Sequence, residues 1–156
     1  MADPRHLLIV YHSRSGGTQA MADALIAGAT GEEIDDVEIR VKRAFDATAD
    51  DVRWADAIVI GTPENFGYMS GAIKDFFERI YYVLLDETPG LPYALFVKGG
   101  QDGEGAVRSV ERIVTGLKWK QVLAPVVVAG DLADADLQRC HELGLTIAAG
   151  LDAGLF

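Results

Sequence analysis

Six consecutive residues, Ser13-Arg14-Ser15-Gly16-Gly17-Thr18, separate the apolar run Leu7-Leu8-Ile9-Val10-Tyr11 from a helically patterned stretch. The hydroxyls of Ser13, Ser15 and Thr18 can donate to an anion, and Gly16 and Gly17 let successive backbone N–H groups turn inward on it. A helix starting here would add its unpaired amides and the positive end of its dipole. This is the chemistry of phosphate binding. Read alone, the segment fits an ordinary turn and helix cap equally well. It lacks the Gly-Lys-Ser/Thr ending of a triphosphate-binding P-loop and the Gly-x-Gly-x-x-Gly spacing of a dinucleotide site.

Two further segments carry unusual residue types. Gly61-Thr62-Pro63-Glu64-Asn65-Phe66-Gly67-Tyr68-Met69-Ser70 follows an apolar run and places three large apolar side chains, Phe66, Tyr68 and Met69, in a loop. Such side chains are costly there unless they cover something, and a flat aromatic ring system suits them. Packing onto the next helix is the plainer alternative. Gly99-Gly100-Gln101-Asp102-Gly103-Glu104-Gly105 has four glycines in seven residues, which permits close backbone approach to a ligand or a mobile connector.

The elements that must position these loops are legible from apolar periodicity. Strands are expected at His6–Ser13, Val37–Arg43, Ala57–Thr62, Tyr93–Lys98 and Val122–Gly130, several of them continuous apolar runs, as in parallel strands covered on both faces. Helices are expected at Gln19–Gly28, Thr48–Trp54, Ser70–Asp86, Gly105–Leu117 and Asp134–Leu151, with Ser70 and Asp134 as N-caps. Strict alternation with tight connections implies right-handed crossovers. The expected fold is a three-layer α/β/α sandwich around a doubly wound, five-stranded parallel sheet of order 2-1-3-4-5, one domain over residues 1–156. Ligands of such sheets bind beyond the carboxyl ends of the strands where the order reverses, so the three loops should face one another.

With the elements in place, Tyr11-His12-Ser13-Arg14-Ser15-Gly16-Gly17-Thr18 resembles the FMN phosphate loop of the flavodoxin-like superfamily. Gly61-Thr62-Pro63-Glu64-Asn65-Phe66-Gly67-Tyr68-Met69-Ser70-Gly71 resembles the second flavin loop of its NAD(P)H:quinone oxidoreductase and FMN reductase branches. The resemblance implies that Ser13, Arg14, Ser15, Gly16, Gly17 and Thr18 surround the FMN phosphate. It implies that Pro63, Glu64, Asn65, Phe66 and Gly67 lie along the isoalloxazine ring, with Gly99, Gly100 and Gln101 on its other side. There is one departure: Gln101-Asp102-Gly103-Glu104-Gly105 has no aromatic, whereas one-electron flavodoxins usually sandwich the ring. One ring face would then be open to a nicotinamide or quinone. No inserted segment interrupts the last expected strand, as in short members of the superfamily.

The favoured expectation is therefore an FMN-dependent oxidoreductase that takes hydride from NAD(P)H and reduces a quinone or similar small acceptor. The alternative is a non-enzymatic single-electron carrier. No catalytic side chain is assigned; His12 reads as a satisfied strand-end histidine. A receiver domain would need acids after the first strand and an Asp ending the third, where this chain has His12-Ser13 and Thr62-Pro63. A phosphatase loop would need a nucleophilic Cys, and Cys140 lies far along the chain.

Bulk properties agree. At 156 residues the chain is large enough to bury a substantial core. A net charge of −10 disfavours nucleic-acid binding and suits solubility or docking to basic redox proteins. Cys140 stands alone on a mostly apolar helical stripe, which reads as a buried structural thiol. No apolar run is long enough to span a membrane, and Met1-Ala2-Asp3-Pro4-Arg5-His6 lacks a signal-peptide layout, so a cytoplasmic location is expected. The aromatic helix with Phe76, Phe77, Tyr81 and Tyr82 offers a surface for a possible homodimer, with burial of all four inside one chain as the alternative.

Overall fold

Leu7, Leu8, Ile9 and Val10 are all fully buried, as are Ala57, Ile58, Val59 and Ile60, because each run is covered by helices on both faces. The computed structural model describes residues 3–156; Met1 and Ala2 lie outside the described residues. In chain order the elements are β1 (Arg5–Tyr11), α1 (Gly17–Ala29), β2 (Val37–Arg43), α2 (Ala49–Trp54), β3 (Ala57–Asn65), β4 (Tyr68–Met69), α3 (Gly71–Leu84), β5 (Pro92–Gly99), α4 (Glu104–Gly116), β6 (Lys120–Gln121), β7 (Val126–Ala129) and α5 (Asp134–Asp152).

The parallel sheet runs β2-β1-β3-β5, and β6 and β7 share the far edge of β5. Counting β6 and β7 as one interrupted strand, this is the expected 2-1-3-4-5 order in a three-layer α/β/α sandwich. Two cores result. Phe76, Phe77 and Ile80 of α3 pack against one face of the sheet, and Met21, Leu25, Leu143 and Ile147 of α1 and α5 pack against the other. The helices α1 and α5 touch backbone to backbone: a Cβ on Gly28 would strike the His141 carbonyl, and one on Gly144 would strike that of Leu25.

Four details depart from the expected elements. The fifth strand, expected over Val122–Gly130, is broken: β5 advances from Tyr93 to Phe96 while its neighbour runs from Gln121 to Val126. Pro125, with no N–H to give the ladder, sits in the break. β3 continues past Thr62 to Asn65 and pairs antiparallel with β4, so the second loop is a hairpin. The cap of α5 is Ala133, whose N–H donates to the Asp136 carboxylate at 2.9 Å, and Asp134 lies inside the helix. The aromatic face of α3 is mostly spent inside the protein, with Phe76 and Phe77 in the core and Tyr81 over Gly116, leaving Tyr82 and Val83 exposed. Ser70 caps α3 as expected, accepting from the Ile73 N–H at 3.3 Å. Cys140 is fully buried, and burial pushes its thiol up to about 11.

Candidate functional site at the carboxyl edge of the sheet

The first loop leaves β1 and enters α1 through Gly16, whose φ of 97° favours glycine. Of the amides at the start of α1, that of Ala20 donates to the Gly16 carbonyl at 3.0 Å and that of Gln19 to Ser13 Oγ at 3.0 Å. Among the described residues nothing in the protein takes the N–H groups of Gly17 and Thr18, so they remain for an outside acceptor. Ser13 caps the helix as an acceptor and keeps its hydroxyl proton to donate. Arg14 and Ser15 are exposed, while Thr18 is buried at the helix start. His12 packs edge-on against Phe45, with ring centroids 6.3 Å apart. Burial lowers the His12 pKa, and the nearby Arg43 and Arg14 charges lower it further.

The second loop is the β3–β4 hairpin. Asn65 pairs with Tyr68, so Phe66 and Gly67 form the two-residue turn, with φ of 54° and 70°. Two positive φ values suit the I′ turn, which ordinarily takes Asn-Gly; a phenylalanine there is strained. Phe66 is fully exposed, Tyr68 is partly exposed, and Met69 is buried in the core. The hairpin base is pinned by buried Thr62, whose hydroxyl donates to Pro63 O at 2.8 Å and accepts from the Ser70 N–H at 3.0 Å. Ser109 of α4 holds the other strand, accepting from the Met69 N–H at 3.0 Å.

Glu64 reaches across to the third loop, where one carboxylate oxygen accepts from the Ala106 N–H at 3.2 Å. Ala106 lies in the first turn of α4, so this carboxylate caps a helix that belongs to another loop. Asp102 caps the same helix locally, accepting from the Glu104 N–H at 3.0 Å. Gly105 is required by contact: a Cβ there would strike the Gly67 carbonyl.

The three loops thus meet in pairs. The His12 N–H donates to Gly61 O at 3.1 Å, joining the first to the second. A Cβ on Gly17 would lie 3.2 Å from Lys98 Cγ at the end of β5, joining the first to the third. Glu64 and Gly105 join the second to the third. Between the last two loops opens a cleft of about 480 Å³ lined by Phe66, Gly100, Gln101 and Arg108 among others. The residues that the resemblance assigned to FMN lie at this edge, Ser13–Thr18 on one side, Pro63–Gly67 and Gly99–Gln101 on the other. The departure is Glu64, whose side chain turns to α4. Sequence reasoning missed Arg43, Lys98, Thr62 and Ser109. Arg43 and Lys98 carried a signal, each as a cation ending an expected strand at the loop edge.

The chain is similar over most of its length to several known proteins. A flavodoxin of Aquifex aeolicus (strain VF5) is 28% identical, with 91% of this chain and 84% of that protein covered. The structure of a flavodoxin from the domain Archaea superposes with a TM-score of 0.76 at 25% identity, covering 94% of this chain and 98% of that one. Oxidised Flavodoxin 1 from Bacillus cereus has the same fold, with a TM-score of 0.74 at 23% identity over 89% of this chain and 94% of its own. Residues 9–144 match the flavodoxin family model, and the chain belongs to the flavodoxin family of FMN-binding redox proteins.

Proposed function

We propose that the protein is an FMN-dependent carrier that passes single electrons between docked redox proteins, with residues 1–156 acting as one domain. The observation that carries this reading is the pairwise meeting of the three loops in a chain of flavodoxin length and family. The donor set fits FMN. The Gly17 and Thr18 amides and the hydroxyls of Ser13, Ser15 and Thr18 would hold the phosphate, aided by the dipole of α1. Arg14 is exposed and is not required for that neutralisation. The ring would lie toward Pro63, Glu64, Asn65, Phe66 and Gly67, with Gly99, Gly100 and Gln101 opposite; Gly67 and Gly100 have open space beside them.

When bound, FMN supplies the redox chemistry, and the chain supplies position, access and electrostatics. Phe66 presents an exposed aromatic at the rim, where a partner or the ring itself can take it up. The Glu64 and Asp102 carboxylates near the cleft disfavour added negative charge, making reduction harder. A net charge of −10 suits basic partners. The lone buried cysteine suits a cytoplasmic location, and among the described residues no helix is long and apolar enough to cross a membrane.

One observation favours a second reading. The third loop has no aromatic, leaving a ring face open for hydride transfer from NAD(P)H toward a quinone. A redox titration of the FMN-loaded protein separates the two: the carrier gives two resolved one-electron steps and no NADH or NADPH consumption with quinones. A single two-electron step with such consumption replaces the carrier by the reductase. A colourless protein that takes up no added FMN overturns both.

A further inference from the structure

We propose that Arg43 makes the first loop selective for a phosphorylated flavin, by bracing both ends of the loop and placing an uncompensated positive charge beside it. The inference rests on the reading that this loop receives the FMN phosphate. Arg43 ends β2 and is paired in register with Tyr11 at the end of β1. Its guanidinium lies 4.9 Å from the centroid of the Tyr11 ring. One terminal nitrogen donates to the Ser13 carbonyl at 3.1 Å and the other to Gln19 Oε1 at 3.1 Å.

Ser13 and Gln19 also join each other, through the Gln19 N–H and Ser13 Oγ. The three residues form a closed triangle, and the five residues between Ser13 and Gln19, with the Ser13 hydroxyl, carry the amides and hydroxyls that would bind the anion. The Tyr11 hydroxyl adds a fourth tie, donating to the same Gln19 Oε1 at 3.0 Å. A loop held at both ends has less freedom left to lose when an anion arrives, which is the benefit of preorganisation.

Charge points the same way. Arg5, Arg40, Arg53, Arg79 and Arg139 each meet a carboxylate within 4.0 Å. Among the described residues Arg43 meets none, as is also true of Arg14, Arg108 and Arg112, and of these four only Arg43 hydrogen-bonds to the first loop. The nearby Arg14 adds positive potential from the loop, both guanidinium charges act on His12 to disfavour its protonation, and the Lys98 stem crosses Gly17 from β5. Five planar donors, two of them used, leave Arg43 able to brace the loop without losing its charge.

The test compares FMN with riboflavin, which has the same ring without the phosphate, by fluorescence titration of the full chain freed of cofactor. Wild-type protein should bind FMN more tightly than riboflavin. Arg43→Gln should weaken FMN about fivefold or more, with riboflavin changed less than about twofold and the salt dependence of FMN binding flattened. Arg43→Lys, which keeps charge and loses the two-point brace, should fall between them and guards against a variant that fails to fold. Equal losses for both flavins, or an unchanged FMN preference, overturn the role of Arg43. Wild-type protein with no preference for FMN over riboflavin overturns the phosphate reading of the loop instead.

Discussion

Phe66 holds a φ of 54°, a conformation that Asn or Gly adopts readily and a bulky side chain does not. Strain of this kind persists at sites where function requires it. Phe66→Asn should therefore raise the stability of the cofactor-free chain by about 1 kcal/mol in urea unfolding, by restoring the Asn-Gly turn. The same change should weaken FMN binding, since the exposed ring is removed from the rim. Unchanged stability would mean that the turn is not strained. His12 carries a pH dependence whose sign follows from its surroundings. Burial, Arg43 and Arg14 lower its pKa below the ordinary 6.5, so the unfolded chain holds the proton more tightly. Stability of the cofactor-free protein should fall as pH drops through about 6.5 and level off below the folded pKa. Arg43→Gln removes one of the lowering charges, and an NMR titration should find the His12 pKa raised.

At the scale of elements, α4 depends on a residue from outside itself. Its cap residue Gly103 has no side chain, and Glu64 from the hairpin takes the Ala106 amide. Glu64→Ala should cost about 1 kcal/mol of stability, as lost helix caps do, and speed hydrogen exchange at Ala106. If exchange there is unchanged, the carboxylate is not the cap. The strands β1, β3 and β5 were legible because a parallel strand buried on both faces leaves an unbroken apolar run. The hairpin was not, because Pro63-Glu64-Asn65 has neither that run nor an ordinary turn sequence. Its pairing is fixed by the Thr62–Ser70 tie across its base and by Ser109, forty residues away on α4. The break in the last strand was foreshadowed by Pro125. Its two short ladders also require the register of β5, which no local pattern contains.

For the whole molecule, a net charge of −10 makes association with a basic redox protein a long-range attraction. Electron transfer from the reduced protein to a basic partner should slow about tenfold or more from low to physiological ionic strength. A rate indifferent to salt would argue against electrostatic docking. The sequence by itself determined the α/β class, the strand order and the three loops that carry chemistry. The class and the loops follow from unbroken apolar runs, a 3.6-residue period and glycine and hydroxyl placement, all local in the chain, and the order from the strict alternation of strands and helices in a doubly wound sheet. Only the tertiary structure decided what each side chain of those loops does. It turned Glu64 onto α4, left Phe66 exposed and strained, and brought Arg43 from the end of β2 onto Ser13 and Gln19. The physical reason is that a side chain's partners are set by which elements lie beside it, and that adjacency arises from sheet order and register.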